Sequence, residues 1–343
     1  MKKLRPKTNA ITNSIKKSAK TCLPESILRN VNLDNNKFHY PFIVKRGKGP
    51  YLYDYDGNRY IDFQLAGGKH LAGYSNPVMN KAVKNSISKG NCFLPSIREL
   101  IKLSKLTKEF FPFIDKILPF KNWNDLIEGI MDYVCNVSNN YFQIVNPLEY
   151  ILEEYKFDPK KFDKKKGIYV CDESYTFPSV DLSGWCVKNN WQPDLIILGE
   201  AVSGGYPIYF LAGKAEIIDH IGEWQYNNSE NLSTMCFYPY MVEAVIENLK
   251  IIRKDIYKKD ANKVLENFSE IPEKLNLPFS WDREGLLFYI RSKDDFNYNE
   301  VYNKLIDLNI LFPPNKECAG FISTKHDLNC INQLTNALGK IYA

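Results

Sequence analysis

Two short apolar runs each end in an acid. Residues 168 to 171 (IYVC) read as a buried strand, and Asp172 and Glu173 follow at once. A carboxylate therefore sits at a strand's carboxyl end, the edge where open α/β sheets bind ligands. Residues 195 to 198 (LIIL) form the second run, which leads into Gly199-Glu200 and a Ser203-Gly204-Gly205 turn. A carboxylate at 200 could accept a proton from a bound molecule. Two further polar side chains stand before helical patterns. Asn124 follows a strand-like run at 116–120, and strand, loop, helix N-terminus is phosphate-cradling geometry. Thr234 precedes Tyr238-Pro239 and a long amphipathic stretch.

The elements around these residues carry a pattern. The core segment runs Asp172-Glu173, then Pro193-Asp194, Gly199, Gly204-Gly205 and Pro207. It resembles the cofactor core of class III pyridoxal-phosphate (PLP) aminotransferases, and the chain's ends resemble glutamate-1-semialdehyde 2,1-aminomutase. The end segments are the hairpin region 41–63 and the block at 309–326, with its Phe-x-Ser-x-x-His. The resemblance implies an α/β fold of the fold-type-I PLP-transferase kind, with a mostly parallel sheet and a smaller α+β C-terminal domain. We expect an N-terminal segment at 1–70, a shortened large domain at 71–240 and a small domain at 241–343.

The resemblance also assigns roles. Asp172 would face the cofactor's pyridine nitrogen. Thr234 would contact the phosphate across a homodimer interface. The family's Schiff-base lysine falls at Glu200, and a carboxylate has no amine for that bond. Lys214 lies a strand away and out of register. The family's Gly-Thr phosphate loop is replaced by Lys121-Asn122-Trp123-Asn124-Asp125, which lacks glycine and carries an acid. That turn reads as an ordinary strand-to-helix connection. Asp125 and Asp172 are 47 positions apart, which leaves out the insertion bearing the ring-stacking aromatic.

Composition narrows the class. The 343 residues carry a net charge of +5, spread among acids rather than gathered into a nucleic-acid footprint. Eight cysteines lie scattered with no Cys-x-x-Cys pair and only four His, so no metal site is expected. Free thiols suit a reducing compartment, and no apolar run spans a bilayer. The first 24 residues have no acid but also no apolar core of a signal peptide, so a cytoplasmic protein is expected.

Local signals place other elements. Residues 8–31 suggest a short helix and loop. Asp56-Gly57-Asn58 between β-rich runs predicts a hairpin. Asn76-Pro77 predicts a capped helix, and Ser96 with Glu99 a second one. His326, alone before the terminal helix, reads as structural. Trp185, Trp191 and Trp224 read as core.

Three functional readings stay open. The first is a degenerate aminotransferase homologue with a binding or regulatory role, as a homodimer or paired with an intact homologue. The second is an enzyme holding PLP or pyridoxamine phosphate non-covalently, with Glu200 as base on an amino-aldehyde or keto-sugar. The third is a PLP-independent metabolite binder.

Overall fold

The two apolar runs become neighbouring central strands of one sheet. The computed structural model describes residues 10–24, 42–90, 97–138, 141–153, 156–162, 167–228, 238–256, 259–292 and 296–342. Thr234 and Ser96 lie outside them. In chain order the first strands are β1 (Val44–Lys48), β2 (Tyr51–Asp54), β3 (Arg59–Asp62), β4 (Lys116–Phe120), β5 (Tyr141–Val145) and β6 (Gly167–Asp172). The rest are β7 (Leu195–Leu198), β8 (Tyr209–Gly213), β9 (Phe279–Glu284), β10 (Leu287–Ser292), β11 (Ile310–Leu311) and β12 (Gly320–Phe321).

The main sheet has the order β4-β8-β7-β6-β5. β5, β6 and β7 run parallel, while β8 is antiparallel to both β7 and β4. The sheet is thus parallel except for β8. Its central strands are apolar throughout because both faces are covered. Tyr169, Cys171, Ile196 and Leu198 face a core shared with helices Pro77–Ile87, Ile97–Phe110 and Pro239–Ile256. Ile168, Val170, Leu195 and Ile197 face the other side, against helices Trp123–Tyr133 and Ala215–Asn228. Residues 241–252 belong to the first of these cores, beyond the expected boundary at 240.

A second core, rich in phenylalanine, holds the C-terminal lobe. It joins β9, β10 and Ile322, just past β12, to helices Lys259–Lys274, Tyr298–Asp307 and Leu328–Tyr342. The lobe reaches back to the N-terminal hairpin. β11 pairs parallel with β3, Ile310 opposite Ile61 and Leu311 opposite Asp62. The hairpin turns where Asp56-Gly57-Asn58 places it, with Gly57 at φ 85° and Asn58 donating to Asp54 from its amide and side chain. Asn76 caps Pro77–Ile87 by accepting from the Val78 amide at 3.0 Å. The first helix spans Ala10–Cys22, and residues 25–31 of the expected N-terminal element lie outside the described ones.

Candidate active site

The sheet's topology gathers side chains at one edge. Asp172 ends β6, and Glu200 lies two residues past the end of β7. β8 runs the other way, so its first residue, Tyr209, reaches the same edge, opposite Phe120 at the end of β4. Trp123 follows three positions later. Asp172, Glu200, Tyr209 and Trp123 line a cavity of about 230 Å³ with Tyr175 and Lys69. This is the carboxyl edge of the parallel strands, where this architecture binds ligands.

Asp172 is mostly buried, and burial pushes its carboxyl above the usual range. Hydrogen bonds from Ser174 oppose that shift, among them the Ser174 amide at 3.0 Å. Gly199 keeps β7 close: a Cβ there would stand 2.5 Å from the Ser174 side chain. Glu200 opens the short helix Glu200–Ser203. Asn248, fully buried on Pro239–Ile256, donates to the carbonyls of Ala201 at 3.0 Å and Val202 at 2.8 Å, and so fixes that helix.

Glu200 is doubly engaged. Tyr209 Oη donates to its Oε1 at 3.0 Å, and Lys69 Nζ is ion-paired with its Oε2. Residue 200 lacks an amine, as the sequence shows, but Lys69 brings one to the same cleft from 131 positions away.

Lys69 is delivered by an unusual turn. Leu65, Ala66, Gly67 and Gly68 all have positive φ, at 49°, 54°, 73° and 81°. For Leu65 and Ala66 this left-handed conformation costs roughly 1–2 kcal/mol each. The surroundings over-determine it. Asp62 Oδ1 accepts from the amides of Gln64 at 2.7 Å and Leu65 at 3.1 Å, and Tyr74 Oη donates to Oδ2 at 2.7 Å. Gln64 Nε2 donates to the Phe312 carbonyl at 2.6 Å, and β11 holds β3. Gly68 must be glycine for a second reason, since a Cβ would meet the Phe321 ring at 2.6 Å.

The phosphate end is built differently from expectation. Asn122, not Asn124, caps Trp123–Tyr133, accepting from the Asp125 amide at 2.9 Å. Capping requires the acceptor to precede the first turn, and Asn124 is already inside the helix, exposed and away from the cavity. Asp125 adds a carboxylate there, held by Asn122 Nδ2 at 2.9 Å. A ring with a basic nitrogen fits between Asp172 and the aromatic walls. A phosphate does not fit at this helix end, where the Asp125 amide is taken and an acid stands in the first turn. Trp123, Tyr175 and Tyr209 supply the aromatic surface that sequence alone had not located.

One buried group of possible metal ligands occurs among the described residues: Cys171, Glu173 and Cys186, with donor atoms within 4.8 Å of one another. Glu173 is already committed, accepting from Thr176 Oγ1 and from the Cys186 amide at 2.8 Å. It braces the start of helix Gly184–Lys188. His326 is buried, stacked on Phe63, with Nδ1 accepting from the Ser323 amide at 2.9 Å. Trp185 and Trp191 are core residues. No helix among the described residues is long and apolar enough to cross a membrane.

Comparison with known proteins agrees with this architecture. The family model "Aminotransferase class-III" matches residues 33–122. Glutamate-1-semialdehyde 2,1-aminomutase 2 of Bacillus licheniformis is 22% identical over 416 aligned positions, covering 93% of each chain. An omega-transaminase from Sphaerobacter thermophilus superposes with a TM-score of 0.74 at 14% identity, covering 96% of each chain. A structure described as a transaminase with PLP bound gives 0.77 at 13% identity, over 98% of this chain and 97% of the other. These superpositions show the fold.

Proposed function

We propose that this chain, which is similar to class III aminotransferases, binds a small pyridine-type or carbonyl ligand without performing ordinary transamination through residue 200. One observation supports the reading: the carboxylate of Glu200, which the sequence pattern aligns with the family's amine position, is spent on Lys69 and Tyr209. A carboxylate cannot form the family's covalent link at that point. When bound, a pyridoxal-type ligand would supply an electron-accepting ring, its phosphate, if present, lying away from the helix end at Asp125. Asp172 would hold the ring nitrogen by a charge-assisted hydrogen bond, with no bond from residue 200 to the ligand. Trp123, Tyr175 and Tyr209 would flank the ring and limit access of water.

The altered-chemistry reading is favoured over a vacant relic by the Lys69–Glu200 pair. An acid and an amine held in contact inside a ligand-sized cavity retain the means to move a proton. The degenerate role is then a loss of the family reaction, not of the site. The reading retains the homodimer, which sedimentation tests directly.

The test is calorimetric titration of the purified protein with PLP, pyridoxamine phosphate and pyridoxal. Saturable binding of at least one, lost at least tenfold in Asp172→Ala, is the expected result. Absence of binding for all three sinks the proposal. Turnover of ordinary amino donors at rates typical of aminotransferases, abolished in Glu200→Gln, refutes it equally.

A further inference from the structure

We propose that Lys69 is a relocated amine nucleophile, which captures a small aldehyde in the cleft with Glu200 carrying the protons. The inference rests on the ligand-binding reading above and adds the residue that forms the bond.

Four observations converge on Lys69. Its Nζ is in the cavity that also holds Asp172, Glu200 and Tyr209. Its side chain keeps about a third of its surface exposed, so a ligand can reach it. It stands at the border of a second, larger cavity of about 750 Å³. Lys69 and Tyr175 line both cavities, and Gln64, Ala66, Asn315 and Phe321 line only the larger one. Asp172 lines only the smaller cavity, so Lys69 stands where the two spaces share a wall.

The fourth observation is the cost of putting Lys69 there. The left-handed turn at residues 65–68 places two side-chain-bearing residues in a conformation they disfavour. The Lys69–Glu200 pair is partly buried, and two desolvated charges repay little of such strain by their attraction alone. Strain held in place by Asp62, Tyr74 and Gln64 is characteristic of backbone that must present one side chain at one spot.

The chemistry balances without an outside reagent. The ammonium of Lys69 gives a proton to Glu200 Oε2, and the freed nitrogen lone pair attacks the aldehyde carbon. The C=O π pair moves to oxygen, which takes that proton back from Glu200. A second nitrogen-bound proton follows the same route, the C–O bond breaks, and oxygen leaves as water. The C=N bond that remains keeps the third proton and a positive charge facing the Glu200 carboxylate. Nothing is oxidised or reduced. Tyr209, donating to Glu200 Oε1, holds the carboxylate still during both transfers.

The experiment incubates the intact protein with PLP and, separately, with pyridoxal, followed by borohydride reduction and peptide mapping by mass spectrometry. The expected product is one saturable adduct per chain on Lys69. Lys69→Arg, which keeps a cation beside Glu200, removes that adduct, and whatever binding remains is reversed by dilution and is not fixed by borohydride. Glu200→Gln slows adduct formation at least tenfold while Lys69 remains the labelled site. Labelling by PLP only, and not by pyridoxal, places the phosphate among the recognised groups; labelling by both assigns recognition to the aldehyde and ring. Tight binding with no adduct at Lys69 overturns this inference and leaves the ligand-binding reading intact. No binding at all overturns both, and adducts scattered over surface lysines overturn this one.

Discussion

Replacing Ala66 by glycine should stabilise this protein, against the usual direction of an alanine-to-glycine change. Ala66 has φ 54° and ψ 43°, inside the left-handed turn that delivers Lys69. An L-residue pays roughly 1–2 kcal/mol in that conformation, and glycine almost nothing. Glycine's looser unfolded chain takes back about 0.4–1 kcal/mol. Ala66 is only half-buried, so the lost methyl removes little packing. The net expectation is a gain of about 0.5–1 kcal/mol. Urea unfolding of both proteins, with the midpoint shifting upward at unchanged slope, is the assay. Leu65→Gly is the control. Leu65 shares the strained conformation but is fully buried, so its truncation should cost about 2–4 kcal/mol net. If Ala66→Gly instead destabilises by the roughly 1 kcal/mol seen in ordinary helices, the turn is not strained as described and the positional argument for Lys69 loses its energetic support.

Further expectations follow from buried groups. Asn248→Ala should cost about 2–3 kcal/mol by stripping two bonds from the Glu200–Ser203 helix, and calorimetry should show weaker ligand binding as Glu200 loosens. Burial pushes His326 down to about 3 from 6.5, so its stabilising effect is complete above pH 6.5 and is lost as pH falls toward 3, by about 2 kcal/mol at pH 5. Burial pushes Asp62 up to about 6 from 3.8, which acts in the opposite sense: its contribution is complete below pH 3.8 and is lost as pH rises through 6. Urea midpoints should therefore rise on acidification from pH 7 to 5 in His326→Gln, and fall more steeply than wild type in Asp62→Asn.

The parts of the site built from contiguous residues were legible in the sequence. The runs ending at Cys171 and Leu198 are buried at every position because both sheet faces are covered, so their strand character and edge position followed directly. The hairpin and the Asn76 cap are local chemistry and sit where their residue types predict. The helix after β4 was placed correctly, but its cap was misassigned by two residues; the Asn-x-x-Asp spacing from Asn122 to Asp125 was the available signal. Lys69 was missed for a different reason. Its partner is 131 positions away, and their meeting depends on β3, β11 and a backbone conformation that no propensity favours. The Gly67-Gly68 pair before it was the only local hint. Asn248 was hidden similarly, as one polar residue inside an amphipathic helix.

The pairing of β3 with Ile310–Leu311 has a consequence for synthesis. The strand that leads into Lys69 pairs with β2 in the hairpin, but its other edge stays open until residues 310–311 have left the ribosome. A nascent chain can form the hairpin early, because its contacts are local, yet closure of so long a loop must wait. Lys69 therefore stays unaimed until residues 310–311 are available to close that edge.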